Sequence, residues 1–251
     1  MIYLTSDTHF YHDNVMVYAK RHSKSVDKYI YGLIDYLQFI KDDDILLFLG
    51  DLALSKRKTF ENCKKLVQRI HGQKHFIRGN HDKWLKDEDI LAMGFLSVQD
   101  YILLGDTLFC HYPFADNEYT YTKPKHDYLW ELFYENPSIK TIYHGHIHDS
   151  VISKDDNVKR INCSVDKNHE GYNVVKLEGK IAQKLEKYLN EKKAMVSLQR
   201  GENMVDYDWD DDEEFDEDED FDFDYFDDDF IDDDEFDDDK DSYFSDSDRE
   251  Y

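Results

Sequence analysis

The chain has 251 residues and a formal net charge of −26, from 57 acidic and 31 basic residues. This charge lies almost entirely at one end, because 28 of the acidic and two of the basic residues fall in 206–251, which leaves 29 of each in the preceding 205 residues. An acidic tail on a neutral body argues against a protein that reads long nucleic acid, since such proteins carry a basic stripe.

The cysteines and the apolar runs indicate in which cellular compartment the protein is expected. Cys63, Cys110 and Cys163 are widely spaced and show no CxxC pattern, which predicts neither a disulfide framework nor a thiolate metal site. The N-terminus has no basic start followed by a long apolar stretch, so we expect no signal peptide. No apolar run approaches the roughly 18–20 residues of a membrane span. We therefore expect a cytoplasmic protein without a membrane partner.

Strand and helix patterns alternate over the first part of the chain. Short apolar runs predict three strands, at Ile2–Ser6, Ile45–Leu49 and His75–Arg78. Apolar residues at helical spacing predict two helices, at Ser25–Lys41 and Lys58–Ile70. This alternation is typical of a layered α/β domain.

After about residue 95 the predicted strands follow one another more closely. Val98–Leu104 and Thr107–Cys110 flank Gly105-Asp106, which predicts a β-hairpin. The remaining predicted elements are a helix at Tyr128–Tyr134, strands at Ile139–Tyr143, Val158–Cys163 and Tyr172–Leu177, and a closing helix at Ile181–Leu198.

Asp, Asn and His side chains follow the ends of five predicted strands. In open α/β sheets, sites form outside the carboxyl ends of the strands, so we expect these side chains to meet at one edge. Turn chemistry favours Gly, Asn and Asp after a strand, but it does not favour histidine. The candidate metal ligands are Asp7, His9, Asp51, Asn80, His111, His146 and His148.

The types and number of these ligands indicate the metal. Carboxylate and amide oxygens together with imidazoles suit Mn, Fe, Zn, Co or Ni. Seven ligands are too many for one catalytic ion and suit two ions that share a bridging carboxylate. Such a pair activates a water and holds the attacking and leaving oxygens in a displacement at phosphorus. The adjacent Gly50, Gly79 and Gly145 allow sharp turns and a close backbone approach.

In order and in spacing, these motifs resemble those of the calcineurin-like metallophosphoesterase family. The resemblance extends over about Met1–Glu178, and the opening segment Ser6–Asn14 resembles a small phage and bacterial branch. The motifs are Asp7-x-His9, Gly50-Asp51, Gly79-Asn80-His81-Asp82, His111 and Gly145-His146-x-His148.

The resemblance implies a fold and a division of the chain. The family fold is α/β, with two mixed β-sheets packed as a sandwich flanked by helices, in four layers α/β/β/α. It implies a catalytic domain at 1–180, followed by a closing helix and linker at 181–205. The acidic segment 206–251 is predicted to be a disordered tail, because like-charge repulsion at this density opposes compaction.

The resemblance also implies a role for each motif. Asp7, His9 and His148 would hold one divalent ion, and Asn80, His111 and His146 the other, with Mn favoured. Asp51 would bridge the two ions. His81 would assist the leaving group, as a general acid or as a stabilising cation, while Asp82 would shape that loop. A hydroxide that bridges the ions would attack the phosphorus of a phosphodiester or phosphomonoester.

One segment departs from the family pattern. Many members that dephosphorylate proteins continue after Gly-Asp with a further Asp-Arg pair, but here Gly50-Asp51 is followed by Leu52-Ala53. A Ser/Thr protein phosphatase activity is therefore disfavoured, and His81 lacks its usual orienting carboxylate. A phosphorylated small molecule or a nucleotide is the favoured substrate class.

Three further side chains are candidates for contacts around the centre. Arg57 either touches substrate phosphate or is a surface arginine at a helix start. His12, in the loop after the first ligand pair, either contacts substrate or a ligand or is an ordinary loop histidine. His144 precedes His146 by two residues, so strand alternation would point both the same way.

The tail leaves an alternative function open. Its twelve aromatic residues among the carboxylates are compatible with an inert extension or with docking on a basic partner protein. They are also compatible with a segment that folds back over the site to compete with anionic substrate or to collect metal ions. The alternative to an enzyme is a non-catalytic, metal-stabilised interaction scaffold acting through this tail. An intact His81 argues against that alternative.

Overall fold

The computed structural model describes residues 1–23, 25–53, 57–114, 127–148, 157–166 and 171–202. Within these ranges the chain forms strands and helices wherever the sequence predicts them. The strands are β1 (Ile2–Thr5), β2 (Ile45–Leu49), β3 (Gln73–Ile77), β4 (Val98–Gln99), β5 (Tyr101–Leu104), β6 (Thr107–Cys110), β7 (Thr141–His144), β8 (Lys159–Asn162) and β9 (Val175–Leu177). The helices are α1 (Val15–Tyr18), α2 (Val26–Tyr36), α3 (Arg57–Gln68), α4 (Asp87–Ala92), α5 (Asp127–Glu135) and α6 (Gly179–Glu202).

Three features differ from the sequence-based prediction. The segment predicted as one strand at Val98–Leu104 is two strands, because the chain leaves the first sheet at Asp100 and enters the second. Helices α1 and α4 were not predicted, since elements of four and six residues are too short to show a helical period.

The strands form two mixed sheets. The first has the order β4-β3-β2-β1-β9, with β9 antiparallel to β1 and the other neighbours parallel. The second has the order β5-β6-β7-β8, with only β5 antiparallel to its neighbour. Most carboxyl ends within each sheet therefore lie at one edge, where the candidate ligands follow.

Side chains on the two faces of β2 show how the layers stack. Ile45, Leu47 and Leu49 belong to the core between the sheets, where Phe109 of the second sheet meets them. Leu46 and Phe48 lie on the opposite face, in the core beneath α2 and α3. Because both faces are covered, the strand is apolar throughout and shows no alternation with polar residues.

The outer helices complete the layering. In the core beneath α2 and α3, Ile30 and Leu33 of α2 pack against the first sheet. The core on the outer face of the second sheet packs Leu108 and Ile142 against Leu129 of α5. The predicted fold class is confirmed as a four-layer α/β/β/α sandwich of two mixed sheets. Helix α6 also contributes to the core between the sheets, through Leu185 and Leu189.

Two sequence-based expectations concern parts or properties beyond this fold. The tail at 206–251 lies outside the described residues, so its disorder and the domain limits at 180 and 205 stay predictions. Across the described ranges, no helix combines the length and apolarity needed to cross a membrane. The cytoplasmic location stays a prediction.

Leu47→Ala tests the core between the sheets. Leu47 is fully buried, so removing its side chain leaves a cavity and should lower the free energy of unfolding by about 2–5 kcal/mol. The measurement is urea denaturation followed by circular dichroism. Leu198→Ala makes the same change at a side chain that is 67% exposed, and we expect an effect within about 0.5 kcal/mol. Equal effects of the two substitutions would contradict the sandwich packing.

Candidate metal centre

Side chains from both sheets meet at the carboxyl edge of the sandwich. The first sheet contributes Asp7 and His9 after β1, Asp51 after β2 and Asn80 after β3. The second sheet contributes the remaining side chains of the predicted ligand set, which are His111 after β6, and His146 and His148 after β7. The structure brings all seven together, in the groups described below.

The backbone turns sharply at four of these positions. Asp7, His9, Asp51 and His146 have φ values of 57°, 45°, 56° and 70°, in the left-handed region that residues with a side chain rarely adopt. Main-chain hydrogen bonds hold two of the loops together, from Asp7 N to Gly50 O at 3.0 Å and from His9 N to the Asp51 carbonyl at 3.0 Å. Such strain is typical of functional sites, where the surrounding structure maintains it.

Glycine is required where two of the loops approach a carboxylate. A Cβ on Gly79 would lie 2.6 Å from Asp51 N and would collide with Asp51 Oδ1. A Cβ on Gly145 would lie 2.6 Å from Asp7 Oδ2. These two glycines therefore let the loops close around the acidic side chains.

Asp7, His9 and His148 form the first group, with candidate ligand atoms within 4.8 Å of one another. The Nδ1 of His148 lies 2.7 Å from Asp166 Oδ2, which leaves Nε2 for the centre. The Nε2 of His9 is buried and, among the described residues, has no hydrogen-bond partner. Its other ring nitrogen lies 3.3 Å from Nδ1 of His12.

Asp51, His111 and His146 form the second group, again within 4.8 Å. The Nδ1 of His111 lies 2.7 Å from the Leu49 carbonyl, so it donates there and Nε2 faces the site. Asn80 Oδ1 lies 3.0 Å from that Nε2. Asp51 Oδ2 lies 3.2 Å from the same nitrogen.

Asp51 also belongs to a third group, with His9 and His81. Its Oδ2 lies 3.6 Å from His9 Nε2, and its Oδ1 accepts a hydrogen bond from the His81 backbone N–H at 3.0 Å. The His81 ring is partly exposed and lies 5.1 Å from the His9 ring and 6.1 Å from the His12 ring, centroid to centroid. His81 and His12 thus lie together beside the first group.

Burial perturbs the titration of the central groups. Burial raises the pKa of Asp7. Burial alone would also raise the pKa of Asp51, but the charge and hydrogen bond of His111 hold it well below its usual range. Burial opposes protonation of His111, yet the Asp51 carboxylate raises the pKa of His111 to about 9. The two buried carboxylates therefore require positive charge beside them.

The residues fit divalent metal ions. Two buried carboxylates need compensation, a buried imidazole nitrogen of His9 has no hydrogen-bond partner among the described residues, and the donors are oxygen and imidazole without thiolate. The described residues therefore include groups that could hold a metal ion, as predicted.

Asp82 supports the turns that follow β2 and β3. Its fully buried carboxylate accepts backbone N–H groups from Gly79 at 2.7 Å, Asp51 at 2.8 Å and Leu52 at 3.0 Å. Burial raises the pKa of Asp82 to about 6. The carboxylate lies beneath the loops and joins the turn after β2 to the turn after β3.

Two other candidates have different outcomes. His144 lies on the same face of β7 as Ile142, in the direction of α5, and its Nδ1 lies 2.7 Å from the Gly145 carbonyl. Strand alternation does not carry over to His146, because the strand ends at His144 and His146 has a left-handed φ. Among the described residues the His144 ring makes no hydrogen bond to a candidate ligand, because its Nδ1 contacts the Gly145 carbonyl and its Nε2 has no hydrogen-bond partner. Arg57 is the first residue of α3, and its side chain lies outside the described residues.

Sequence reasoning missed Arg21 and Asp166. Asp166 contacts His148, and the guanidinium of Arg21 binds both oxygens of Asp166 at 2.7 and 2.8 Å. Asp166 follows shortly after a predicted strand, so the strand-end signal used for the other carboxylates could have found it. Arg21 lies in no motif, and nothing local distinguishes it.

Asp82→Asn tests the support beneath the loops. The amide would place an N–H group against at least one of the three backbone N–H donors, which leaves a buried donor unsatisfied and should cost about 1–3 kcal/mol. Urea denaturation of the metal-free protein measures this loss. Asp42→Asn, at a carboxylate whose side chain is 85% exposed, is the matched control and should change little. A stability loss no larger than that of the control would exclude this support.

Comparison with known proteins agrees with this geometry. The model of the calcineurin-like phosphoesterase family matches residues 1–150. An uncharacterised protein of Methanocaldococcus jannaschii is 44% identical over 84 residues, which are 33% of this chain and 47% of that protein. The match thus spans about half the length of that relative.

Solved structures align with the chain to different extents. A protein of unknown function from Aquifex aeolicus aligns with a TM-score of 0.51 and 24% identity, over 75% of this chain and 98% of that one. An archaeal phosphodiesterase aligns with a TM-score of 0.37 and 18% identity, over 64% of this chain and 81% of that one. From the family match over residues 1–150, the chain belongs to the calcineurin-like phosphoesterase family.

Proposed function

We propose that this chain is a metal-dependent phosphoesterase that uses two divalent ions to hydrolyse a phosphodiester or phosphomonoester. The observation that carries the proposal is the position of Asp51, a single buried carboxylate that belongs to groups on both sides. Membership of the calcineurin-like phosphoesterase family supports the same reaction class.

The two groups suggest how the ligands divide. Asp7, His9 and His148 would hold one ion, and their mutual proximity supports this set. Asn80, His111 and His146 would hold the other, supported by the 3.0 Å approach of Asn80 to His111. Asp51 would be shared by both ions. The donors combine carboxylate and amide oxygen with imidazole and suit Mn, Fe, Zn, Co or Ni, of which we favour Mn.

The reaction combines metal chemistry with a proton donor. When bound, two divalent ions would polarise the phosphoryl group and lower the pKa of an attacking water. His81 would give a proton to the departing oxygen, and its partly exposed ring beside His9 is placed where a substrate could reach it. Its backbone N–H bond to Asp51 Oδ1 ties its position to the shared carboxylate.

Two observations bear on the substrate. Leu52 and Ala53, which stand where protein phosphatases of the family carry a further Asp-Arg pair, are fully buried and apolar. The neutral charge of residues 1–205 is unlike a reader of long nucleic acid. A phosphorylated small molecule or a nucleotide is therefore the proposed substrate class.

The acidic tail keeps the scaffold function as the alternative. Its 28 acidic and twelve aromatic residues suit a basic protein partner, and a scaffold would bind metal without turnover. The two functions are separable, because only the enzyme requires His81.

His81→Ala and Asp51→Asn test catalysis in the Mn²⁺-loaded protein. We expect hydrolysis of bis-p-nitrophenyl phosphate or p-nitrophenyl phosphate, measured as release of p-nitrophenolate. On an alkyl phosphomonoester, whose leaving alkoxide needs a proton, loss of the proton donor should lower kcat about 10²–10⁴-fold for His81→Ala, measured as release of inorganic phosphate. Asp51→Asn should remove most of the activity, because the shared ligand loses its charge.

His71→Ala is the matched control. His71 is an exposed histidine that lies outside every motif and pairs with Asp42, so its loss should leave the rate unchanged. A protein that holds two ions per chain but turns over no phosphodiester or phosphomonoester in a broad panel would refute the enzyme and favour the scaffold.

A further inference from the structure

A buried ion pair lies directly behind the first metal group. Arg21 and Asp166 are 145 residues apart and both almost fully buried, with Nε and Nη2 of Arg21 at 2.7 and 2.8 Å from the two carboxylate oxygens. This bidentate geometry is the strongest form of arginine–carboxylate contact. Ser164 pairs with Ser6 at the end of β1, which brings the Asp166 segment beside the first ligand loop.

Asp166 holds one member of the first group. Its Oδ2 lies 2.7 Å from Nδ1 of His148, so the carboxylate fixes the ring orientation and keeps the proton on Nδ1. The remaining nitrogen of His148 then faces Asp7 and His9 as an acceptor. A ligating histidine oriented by a carboxylate is also a more basic ligand.

Arg21 holds the other members through the main chain. Its Nη2 donates to the Asp7 carbonyl at 2.6 Å and its Nη1 to the Thr8 carbonyl at 3.1 Å. These two carbonyls lie in the segment where Asp7 and His9 adopt left-handed backbone conformations. One guanidinium thus stabilises the strained turn that presents both ligands.

Tyr29 completes the support. Its hydroxyl donates to Asp166 Oδ1 at 2.9 Å, and the Arg21 guanidinium lies 4.3 Å from the centre of its ring. Asp166 therefore accepts four hydrogen bonds, which is enough to offset the burial of its charge.

The second group is supported differently. The Leu49 carbonyl orients His111, and the Asp82 carboxylate holds the turns that carry Asp51 and Asn80. In the part of the chain that the structure describes, Arg21 and Asp166 make no hydrogen bond to Asn80 or His111. The direct hydrogen bonds of the ion pair therefore reach members of the first group.

We propose that Arg21 and Asp166 are positioning residues that set the metal affinity of the Asp7–His9–His148 group without setting that of the Asn80–His111–His146 group. The inference rests on the proposed two-metal centre. A variant that disrupts the Arg21–Asp166 pair should therefore lose the ion of the first group at metal concentrations that still fill the second group.

Metal titration of the full chain tests the asymmetry. Chelator-treated protein is titrated with Mn²⁺ by isothermal calorimetry, with bound metal counted by mass spectrometry after desalting. Wild type should bind two ions. Asp166→Asn should weaken one site about 10–100-fold and leave the other unchanged, because the amide cannot supply the charge that orients His148. Weak binding by the acidic tail is common to all variants and cancels from the differences.

Two milder variants keep the test informative if Asp166→Asn does not fold. Arg21→Lys keeps the charge but cannot make the forked contact, so it should weaken the same site. Tyr29→Phe removes one hydrogen bond and keeps the ring, so it should cause a smaller loss there. For every variant, kcat should recover at high Mn²⁺, while the Mn²⁺ concentration for half activation rises.

Asp44→Asn is the matched control for losing a buried charge. Asp44 pairs with the N-terminal amino group at 2.6 Å, away from the ligand loops, so its loss should lower the melting temperature and leave both sites unchanged. Equal weakening of both sites by Asp166→Asn, or no weakening, would overturn the inference. Wild type that binds fewer than two ions would overturn the two-metal centre itself, which is a distinguishable result.

Discussion

A carboxylate that is 2% exposed cannot stay charged without compensation, and Asp51 must meet this constraint where the two metal groups adjoin. Its two oxygens serve different neighbours: Oδ1 accepts the His81 backbone N–H, while Oδ2 faces His111 at 3.2 Å and His9 at 3.6 Å. The imidazoles around it belong to both sheets. The left-handed turn at Asp51, the glycine at Gly79 and the hydrogen bonds to Asp82 all place this one carboxylate.

The sandwich is the means by which such a centre can form. Neither sheet carries both groups: the first contributes the carboxylates with His9 and Asn80, and the second contributes His111, His146 and His148. The core between the sheets, with Leu47 and Phe109 near its middle, therefore determines whether the ligands meet. Stability and function are linked here, because a change that shifts one sheet against the other separates the donors before it unfolds the chain.

Two kinds of support hold the two halves of the centre. Around the second group, a main-chain carbonyl and the Asp82 carboxylate, which accepts backbone N–H groups, hold the loops, so the sequence there is constrained mainly by turn geometry. Behind the first group, a charged pair reaches across 145 residues to fix His148 and the Asp7 turn together. A charged support depends on both partners remaining in place, since either one alone would be a buried, uncompensated charge.

The amino-acid sequence alone was enough to predict most of the strands, the order of Asp, Asn and His at their carboxyl ends and the family, because these are local patterns of period and residue type. It also identified the helices with a repeating apolar face, such as α2. Three features emerged with the three-dimensional fold: Val98–Leu104 divides between two sheets, His144 lies on the same face of its strand as Ile142, and Arg21 meets Asp166. Alternation along a strand stops where the backbone turns, and a contact between residues far apart in the chain leaves no local signal in either segment.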